Sequence, residues 1–193
     1  MRGCLILSLL VACAGSAYEA AGSAPLEPGQ SIPAFEREGI AFGPDGAAST
    51  VAISSRKTER PTAYLFLGTR CETTAMYLTR MAALEKQYAG RVDFVYLYPN
   101  KTDSREEKQA FHRKHQLRGP MVDDQGAAVA HGLLGGRRTA ELVLADKAGV
   151  VLYTGAIDND AEEAKVTRRH FALAIDQHLA GKPVSQPKSV GDA

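Results

Sequence analysis

Two short apolar runs separated by one helical stretch constrain the fold of this chain more than any other feature. Residues 62–67 (TAYLFL) and 92–98 (VDFVYLY) have the pattern of buried strands. Between them, residues 73–88 carry apolar side chains at roughly the spacing of one helix face. A strand, a helix and a second strand in this order predict a sheet with the helix packed on one of its faces.

The rest of the chain adds elements on both sides of this unit. Asp103, followed three residues later by Glu106, is a capping pattern that predicts the start of a second helix. Residues 140–146 and 150–157 flank a Lys-Ala-Gly turn and predict a late β-hairpin. An early hairpin with a Pro-Asp-Gly turn, a short helix and a closing helix are predicted at residues 40–53, 123–134 and 166–179. The sequence therefore predicts an α/β fold, in which helices flank a central mixed β-sheet with an N-terminal hairpin.

The first 17 residues have the features of a secretory signal. Arg2 precedes an apolar core, residues 5–12, which is shorter than the roughly 20 residues that a membrane-spanning helix needs. Two cleavage sites are compatible with the end of this core. Residues 10–13 (LVAC) resemble the bacterial lipobox, whereas 15–17 (GSA) fit a plain small-x-small site. We favour the lipobox, which predicts an exported protein of the periplasm or cell envelope, anchored to the membrane by lipid on Cys13.

The composition divides the remaining chain into a domain and two flexible ends. Residues 18–30 are rich in small residues, Pro and Glu and predict a flexible tether. Residues 185–193 show no apolar periodicity and predict a disordered tail, which leaves one domain at residues 31–184. The chain has 23 basic and 22 acidic residues without a block of like charge, so nothing predicts nucleic acid as a partner.

Cysteine is the residue type that limits the chemistry of this domain. Of the three cysteines, Cys4 lies in the signal and Cys13 is either acylated or removed, so Cys71 alone remains in the domain. No disulfide can then form within it. Cys71 follows the first core strand and precedes helix-forming residues, which places its thiol at a helix N-terminus. At this position Cys71 is either a reactive thiol or a small buried residue that serves packing. The packing role is the commoner one for a lone cysteine.

Four segments resemble, in order, the thioredoxin fold, and more narrowly its redoxin branch of extracytoplasmic relatives of peroxiredoxins and thiol-disulfide reductases. They are YLFLGTRC at residues 64–71, VDFVYLYPNKTDSREE at 92–107, RRTAELVLADKAGVVLYTGAIDND at 137–160 and RRHFALAIDQHLAGKPV at 168–184. The resemblance covers residues 31–184 and implies a thiol oxidoreductase in which Cys71 is the catalytic group.

The active-site residues depart from the patterns of these relatives. Thioredoxins carry Cys-x-x-Cys, but Thr74 holds the second cysteine position here, and Gly68 stands where peroxiredoxins place a threonine. Thioredoxin-fold proteins also place a cis-proline opposite the cysteine, whereas Thr139 is followed here by Ala140. A cis bond before a residue other than proline costs about 2.5–4 kcal/mol, so we expect a trans bond and an altered substrate groove. The groove residues that we predict are Thr69, Arg138, Thr139 and Ala140.

The surroundings of Cys71 predict a thiol with a modestly lowered pKa. The helix N-terminus and the charge of Arg70 stabilise the thiolate, and the Thr74 hydroxyl can donate a hydrogen bond to it. Glu72 opposes them, because a neighbouring carboxylate raises the pKa of a thiol. A single thiol can attack a disulfide or reduce a peroxide, and either product needs an external thiol to resolve it.

Two functions are compatible with these residues. The first, which we favour, is an exported oxidoreductase that uses Cys71 on peroxides or disulfides, with an external thiol reductant or a disulfide-bearing protein as its partner. The second is a redox-inactive module that binds a protein partner at the cell envelope, which the missing second cysteine and Ala140 favour. Neither function needs a cofactor. His112 and His115 share a helix, but two imidazoles alone make a poor metal site, so we predict no metal.

Overall fold

A computed structural model describes residues 24–56 and 58–189 of the 193-residue chain. Its strands are β1 (Glu36–Phe42), β2 (Ala48–Ser54), β3 (Thr62–Phe66), β4 (Asp93–Leu97), β5 (Met121–Val122), β6 (Glu141–Ala145) and β7 (Val151–Ala156). Its helices are α1 (Glu72–Gln87), α2 (Arg105–Lys114) and α3 (His170–Leu179), with a π-helix at Ala128–Leu133 and a 3-10 helix at Glu163–Lys165.

All these strands belong to one mixed sheet, in the order β2-β1-β5-β4-β3-β6-β7. Strands β3, β4 and β5 run parallel, whereas the β1–β2 and β6–β7 hairpins extend the sheet at its two ends with antiparallel strands. Because parallel neighbours need a crossover connection, α1 and α2 pass across the sheet between these strands. The predicted α/β fold, with its central mixed sheet, flanking helices and N-terminal hairpin, is confirmed.

Alternate residues of β3 enter two different cores, because successive side chains of a strand point to opposite faces of its sheet. Ala63 and Leu65 pack with buried residues of α1 and α3. Tyr64 and Phe66 pack on the other face, with residues of the π-helix and of the segment before β1. Every residue of β3 is therefore buried, which explains the continuous apolar run at this point of the sequence.

Helix α2 begins one residue later than the sequence pattern predicted. Its N-cap is Ser104, whose hydroxyl accepts a hydrogen bond from the Glu107 N–H, while the Glu107 carboxylate accepts one from the Ser104 N–H. Asp103, the predicted cap, is buried and bonded instead to Thr69, in the turn before α1. Asp103 thereby becomes part of the surroundings of the cysteine.

The segment before β1 is part of the fold. Leu26 packs against the core that contains the π-helix, and Gly29 donates a backbone hydrogen bond to β7. Residues 24–30 of the predicted tether (18–30) thus have both apolar and backbone partners in the fold. The predicted signal and the lipid site Cys13 lie outside the described residues. None of the helices within the described residues is long and apolar enough to cross a membrane.

The segment after α3 also packs on the sheet. Thr154 of the edge strand β7 donates to the Pro187 carbonyl and accepts from the Ser189 N–H. The Ser189 hydroxyl lies 2.5 Å from the hydroxyl of Tyr153. Within the predicted tail (185–193), Pro187 and Ser189 thus satisfy open backbone groups of an edge strand. The last four residues lie outside the described part of the chain.

Candidate active site around Cys71

Cys71 occupies the turn between β3 and α1. It is the N-cap of α1, with extended backbone angles of φ −91° and ψ 122°, and its carbonyl accepts a helical hydrogen bond from the Ala75 N–H. The side chain is a free thiol that is partly exposed. At this place it faces the unpaired N–H groups and the positive end of the helix dipole, both of which favour the thiolate.

Thr139, which lies just before β6, is the residue that contacts the thiol from the other side of the site. Its Oγ1 atom lies 2.9 Å from the Sγ atom of Cys71, in a hydrogen bond between residues 68 positions apart. The contact arises from the sheet, because β6 runs beside β3 and the Ala140 N–H donates to the Phe66 carbonyl. The bond before Ala140 is trans, as expected, and Ala140 has a φ of +63°, a backbone conformation that side-chain-bearing residues adopt only where their surroundings hold it.

The chain reaches Thr139 through the π-helix and a tightly packed glycine. The buried carboxylate of Asp124 accepts hydrogen bonds from backbone N–H groups in the first turn of this helix. A Cβ atom on Gly136 would overlap the ring of Phe66, so only glycine lets this segment approach the sheet so closely. The hydrogen bonds of Asp124 and the close packing of Gly136 thus position Thr139 beside the cysteine.

The hydrogen bonds around Cys71 lower its pKa. Burial alone would raise the pKa of the thiol, but hydrogen bonds from the Thr139 hydroxyl, from the N–H and hydroxyl of Thr74 and from the Thr73 N–H outweigh that effect. Thr74 is fully buried, and its hydroxyl also accepts a hydrogen bond from the Gly68 N–H at 3.2 Å. The pKa of Cys71 thus lies below its ordinary value, which increases the thiolate fraction near neutral pH.

Arg70 does not stabilise the thiolate in the way that the sequence suggested. Its guanidinium lies 3.3 Å from the Asp103 carboxylate and 3.0 Å from that of Glu107, and its side chain is 65% exposed. The hydrogen bonds that lower the pKa of Cys71 come from threonines and backbone groups. The physical reason is competition, because two carboxylates attract the arginine more strongly than a single partly neutral thiol.

Asp103 is a site component that the sequence pattern assigned to a helix cap. Its side chain is 1% exposed, and Thr69 Oγ1 donates to it at 2.5 Å. Burial would raise the pKa of Asp103, but hydrogen bonds from Thr69 and Asn100 and the charge of Arg70 hold it below its usual range. One sequence signal for this role exists: Asp103 follows β4 as Cys71 follows β3, and the carboxyl ends of neighbouring parallel strands lie at the same edge of a sheet.

The four predicted groove residues do not all lie against the thiol. Thr139 and Ala140 lie against the cysteine turn, whereas the Thr69 hydroxyl is bonded to Asp103. Arg138 is exposed, and its backbone N–H donates to the Glu141 carboxylate at 3.1 Å. The structure therefore brings Thr139 and Ala140 together with the thiol and leaves the Arg138 side chain at the rim.

The two histidines considered as metal ligands lie apart from this site. His112 is buried, with its ring nitrogens bonded to the Tyr98 hydroxyl at 3.0 Å and the Gly119 carbonyl at 2.9 Å. The ring of His115 instead packs at a tilt of 53° against the ring of Phe111, with the ring centroids 4.6 Å apart. Within residues 24–56 and 58–189 no group of three or more histidine, cysteine and acidic side chains could hold a metal ion.

Replacing Thr139 with valine is expected to raise the pKa of Cys71. The hydrogen bond from the Thr139 hydroxyl is the largest of those that lower this pKa against the effect of burial. A hydrogen bond to an ionised group is worth about 1.5–3 kcal/mol, so alkylation by iodoacetamide at pH 7 should slow on the order of tenfold. The midpoint of the rate against pH should move upward. Thr73→Val is the matched control, since Thr73 acts through its backbone N–H, and an equal effect in both variants would contradict this role of Thr139.

Comparisons with known proteins identify the fold. No protein-family model and no curated protein matches this sequence. An uncharacterized conserved protein from Geobacillus kaustophilus superposes with a TM-score of 0.70 at 21% identity, over 84% of this chain and 87% of its own. The reduced 2-Cys peroxiredoxin of Plasmodium vivax has a TM-score of 0.54 at 16% identity, over 81% and 83% of the two chains. A thioredoxin-like protein in the oxidized form has 0.53 at 14% identity, over 65% and 81%. At these identities the likeness shows the fold alone.

Proposed function

We propose that this chain, which has the thioredoxin fold, is a thiol oxidoreductase that works through Cys71. One observation carries the proposal: the Cys71 sulfur lies at the N-terminus of α1, 2.9 Å from the Thr139 hydroxyl, and its pKa is lowered. The thiolate is the nucleophile in both disulfide exchange and peroxide reduction. A thiol that is partly exposed and activated in this way is suited to chemistry rather than to packing.

Because the domain has a single thiol, external thiols must return oxidised Cys71 to its reduced form. With a peroxide, the Cys71 sulfur gains an oxygen and becomes a sulfenic acid, and an external thiol condenses with it to a mixed disulfide with loss of water. With a disulfide substrate, the mixed disulfide forms directly and one substrate thiolate leaves. In both cases an external thiol then attacks the mixed disulfide, which releases reduced Cys71 and leaves a new disulfide between that thiol and the group that was bound to Cys71. We propose an external thiol reductant, or a protein that carries a disulfide, as the partner.

The second candidate is a module that binds a protein partner without redox chemistry. The specific observation in its favour is the pair of exposed arginines, Arg137 and Arg138, at the rim of the cysteine site. Their backbone N–H groups are held by the Glu141 carboxylate, which fixes the segment from which both side chains extend toward solvent. This function would need the side chains of the arginines and no reactivity of Cys71.

Reactivity of Cys71 distinguishes the two functions. We expect the folded protein to react with iodoacetamide and with dilute hydrogen peroxide faster than the same chain unfolded in urea, since the hydrogen bonds that lower the pKa exist only in the fold. The label should map to the peptide that contains Cys71. Equal or slower reaction of the folded protein would favour the binding module, and Arg137 and Arg138 would become the first residues to replace.

We also propose that the protein is exported and lipid-anchored at Cys13, in the periplasm or cell envelope. The supporting observation is the lipobox-like segment LVAC at residues 10–13, after a short apolar core. The mature chain is then expected to begin at Cys13 with acyl chains attached and to sediment with membranes. Intact mass spectrometry measures this directly. A mature chain that begins at Tyr18 without modification would contradict the anchor and still agree with export.

A further inference from the structure

A cavity of about 710 Å³ lies between α1 and α3, outside the cysteine site. Part of its wall is apolar, with Leu84 from α1 and Leu173 from α3. Residues 167–170 line the end of the cavity at which α3 begins. The cavity therefore joins an apolar wall to the N-terminus of a ten-residue helix.

His170, the first residue of α3, lines this end of the cavity. The residue is only 8% exposed, and its ring has no hydrogen-bond partner within residues 24–56 and 58–189. The ring nitrogens are not among the fully enclosed side-chain atoms without a partner, so they keep an accessible surface at the cavity wall. A polar side chain buried to this extent normally has a hydrogen-bond partner, and a ligand in the cavity would supply one.

The backbone at the start of α3 also offers donors. Its N-cap, Arg169, makes no side-chain cap hydrogen bond, and the Phe171 N–H donates to the Ile157 carbonyl. In the described part of the chain, the N–H groups of His170 and Ala172 donate to no other residue. Unpaired N–H groups and the positive end of the helix dipole favour an anion at this place.

Two exposed arginines add positive charge at the same end of the cavity. Arg168 and Arg169 both line it, and among the described residues Arg168 forms no ion pair. Arg169 lies 3.9 Å from Glu163, which is long for an ion pair. The cavity wall contains one other acidic residue, Asp176, which accepts a hydrogen bond from the Tyr88 hydroxyl at 2.9 Å. Positive charge therefore predominates at the start of α3.

These donors suit a phosphate group better than a carboxylate. A guanidinium presents a planar fork of N–H groups that binds phosphate oxygens in pairs. Two guanidiniums, two backbone N–H groups and an imidazole offer more donors than the two oxygens of a carboxylate can accept, whereas a phosphate ester presents three terminal oxygens.

We propose that this end of the cavity is a binding site for a phosphate group, held by Arg168, Arg169, His170 and the N-terminus of α3. The site does not include Cys71, so it is independent of the proposed redox function. Inorganic phosphate and a phospholipid head group share this chemistry. They differ in the apolar chains that a phospholipid carries, for which Leu84 and Leu173 in the adjoining wall provide a contact surface.

Titration of the purified full chain with inorganic phosphate, at constant ionic strength, tests the site. The amide NMR signals of His170 and Ala172 are expected to shift and to saturate. Replacing Arg168 and Arg169 together with glutamine should weaken binding about tenfold or more, because hydrogen bonds between charged groups are lost. The matched control replaces Arg137 and Arg138 with glutamine, which removes the same charge from another exposed pair and should leave binding unchanged.

Dihexanoyl phosphatidic acid, used below its micelle concentration, is the second probe and distinguishes the two sources of phosphate. Binding about tenfold tighter than that of inorganic phosphate would assign the site to a lipid head group, because the acyl chains bury apolar surface along Leu84 and Leu173. Equal binding would assign it to free phosphate or a small phosphate ester.

Three results would overturn the proposal. The first is that neither probe shifts the two amide signals in a saturable way. The second is that the variant without Arg168 and Arg169 binds as tightly as the wild type. The third is an equal loss of binding in both double variants, which would mean that the protein attracts anions only through its overall charge.

Discussion

Replacing Cys71 with serine is expected to abolish all thiol chemistry of the folded domain. Sulfenic acid formation with dilute peroxide, mixed disulfide formation with an added small thiol and its reversal by excess thiol should all fall to background. The reason is that Cys71 is the one cysteine in residues 24–56 and 58–189, so no neighbouring thiol there can replace it. Stability should change by less than about 1 kcal/mol, because the side chain is partly exposed and a hydroxyl can keep the bond to Thr139.

Mass spectrometry of the labelled peptides measures this prediction and assigns each signal to a residue. Cys13→Ser is the matched control, since Cys13 lies outside the predicted domain of residues 31–184 and its replacement should leave the three signals intact. A Cys71→Ser protein that still forms sulfenic acid elsewhere in the domain would show that the redox chemistry does not pass through Cys71.

Replacing Arg80 with methionine is expected to destabilise the domain by about 3–5 kcal/mol. Arg80 lies on α1, the helix that begins after Cys71, and its Nη1 atom is 2.6 Å from Oδ2 of Asp158. Both side chains are buried, at 3% and 1% exposure. The guanidinium also donates to the backbone carbonyls of Met76, Asp160 and Ala161. Methionine has a similar volume but leaves the Asp158 carboxylate buried without its counter-ion, and that is the source of the expected loss.

Urea denaturation measures this loss as a lower midpoint with an unchanged slope. The matched control is Arg105→Met, because Arg105 pairs with Glu38 at a similar distance, 2.8 Å, but with 46% and 58% of the side chains exposed. It should cost less than about 1 kcal/mol. Equal costs for the two variants would mean that burial does not strengthen the Arg80 pair.

Elements with a clear apolar pattern could be predicted from the sequence, whereas elements without one could not. The runs that became β3 and β4 are buried in the sheet interior and so carry a continuous apolar signal. Strand β5 has two residues, too few for any period. The short helix predicted at residues 123–134 is present as a π-helix at Ala128–Leu133, a type that the usual helical spacing does not specify. Residues 185–189 pack through backbone groups, which leave no mark in the side-chain sequence.

In the candidate site, too, some features could be predicted from the sequence and others could not. Cys71 could be located from the sequence, because an apolar strand, a glycine and helix-forming residues follow one another directly along the chain. Arg70 was assigned to the thiolate from adjacency alone, and the structure pairs it with Asp103 and Glu107. Adjacency does not determine which of several partners a long charged side chain reaches. Asp103 was assigned to the start of α2 from its spacing to Glu106, whereas its burial beside Thr69 depends on the turn before α1.

The sequence by itself determined the class of fold, the position of the thiol at a helix N-terminus and the presence of a single cysteine in the domain. These properties can be read from the sequence, because they depend on residue type and on side-chain periodicity within short segments. The tertiary structure alone decided that Thr139, Asn100 and Gly68 surround Cys71. These residues come from three separate loops, which meet only because β3 lies between β4 and β6 in the sheet. Strand order is set by the packing of both cores together, so no single segment of the sequence contains it.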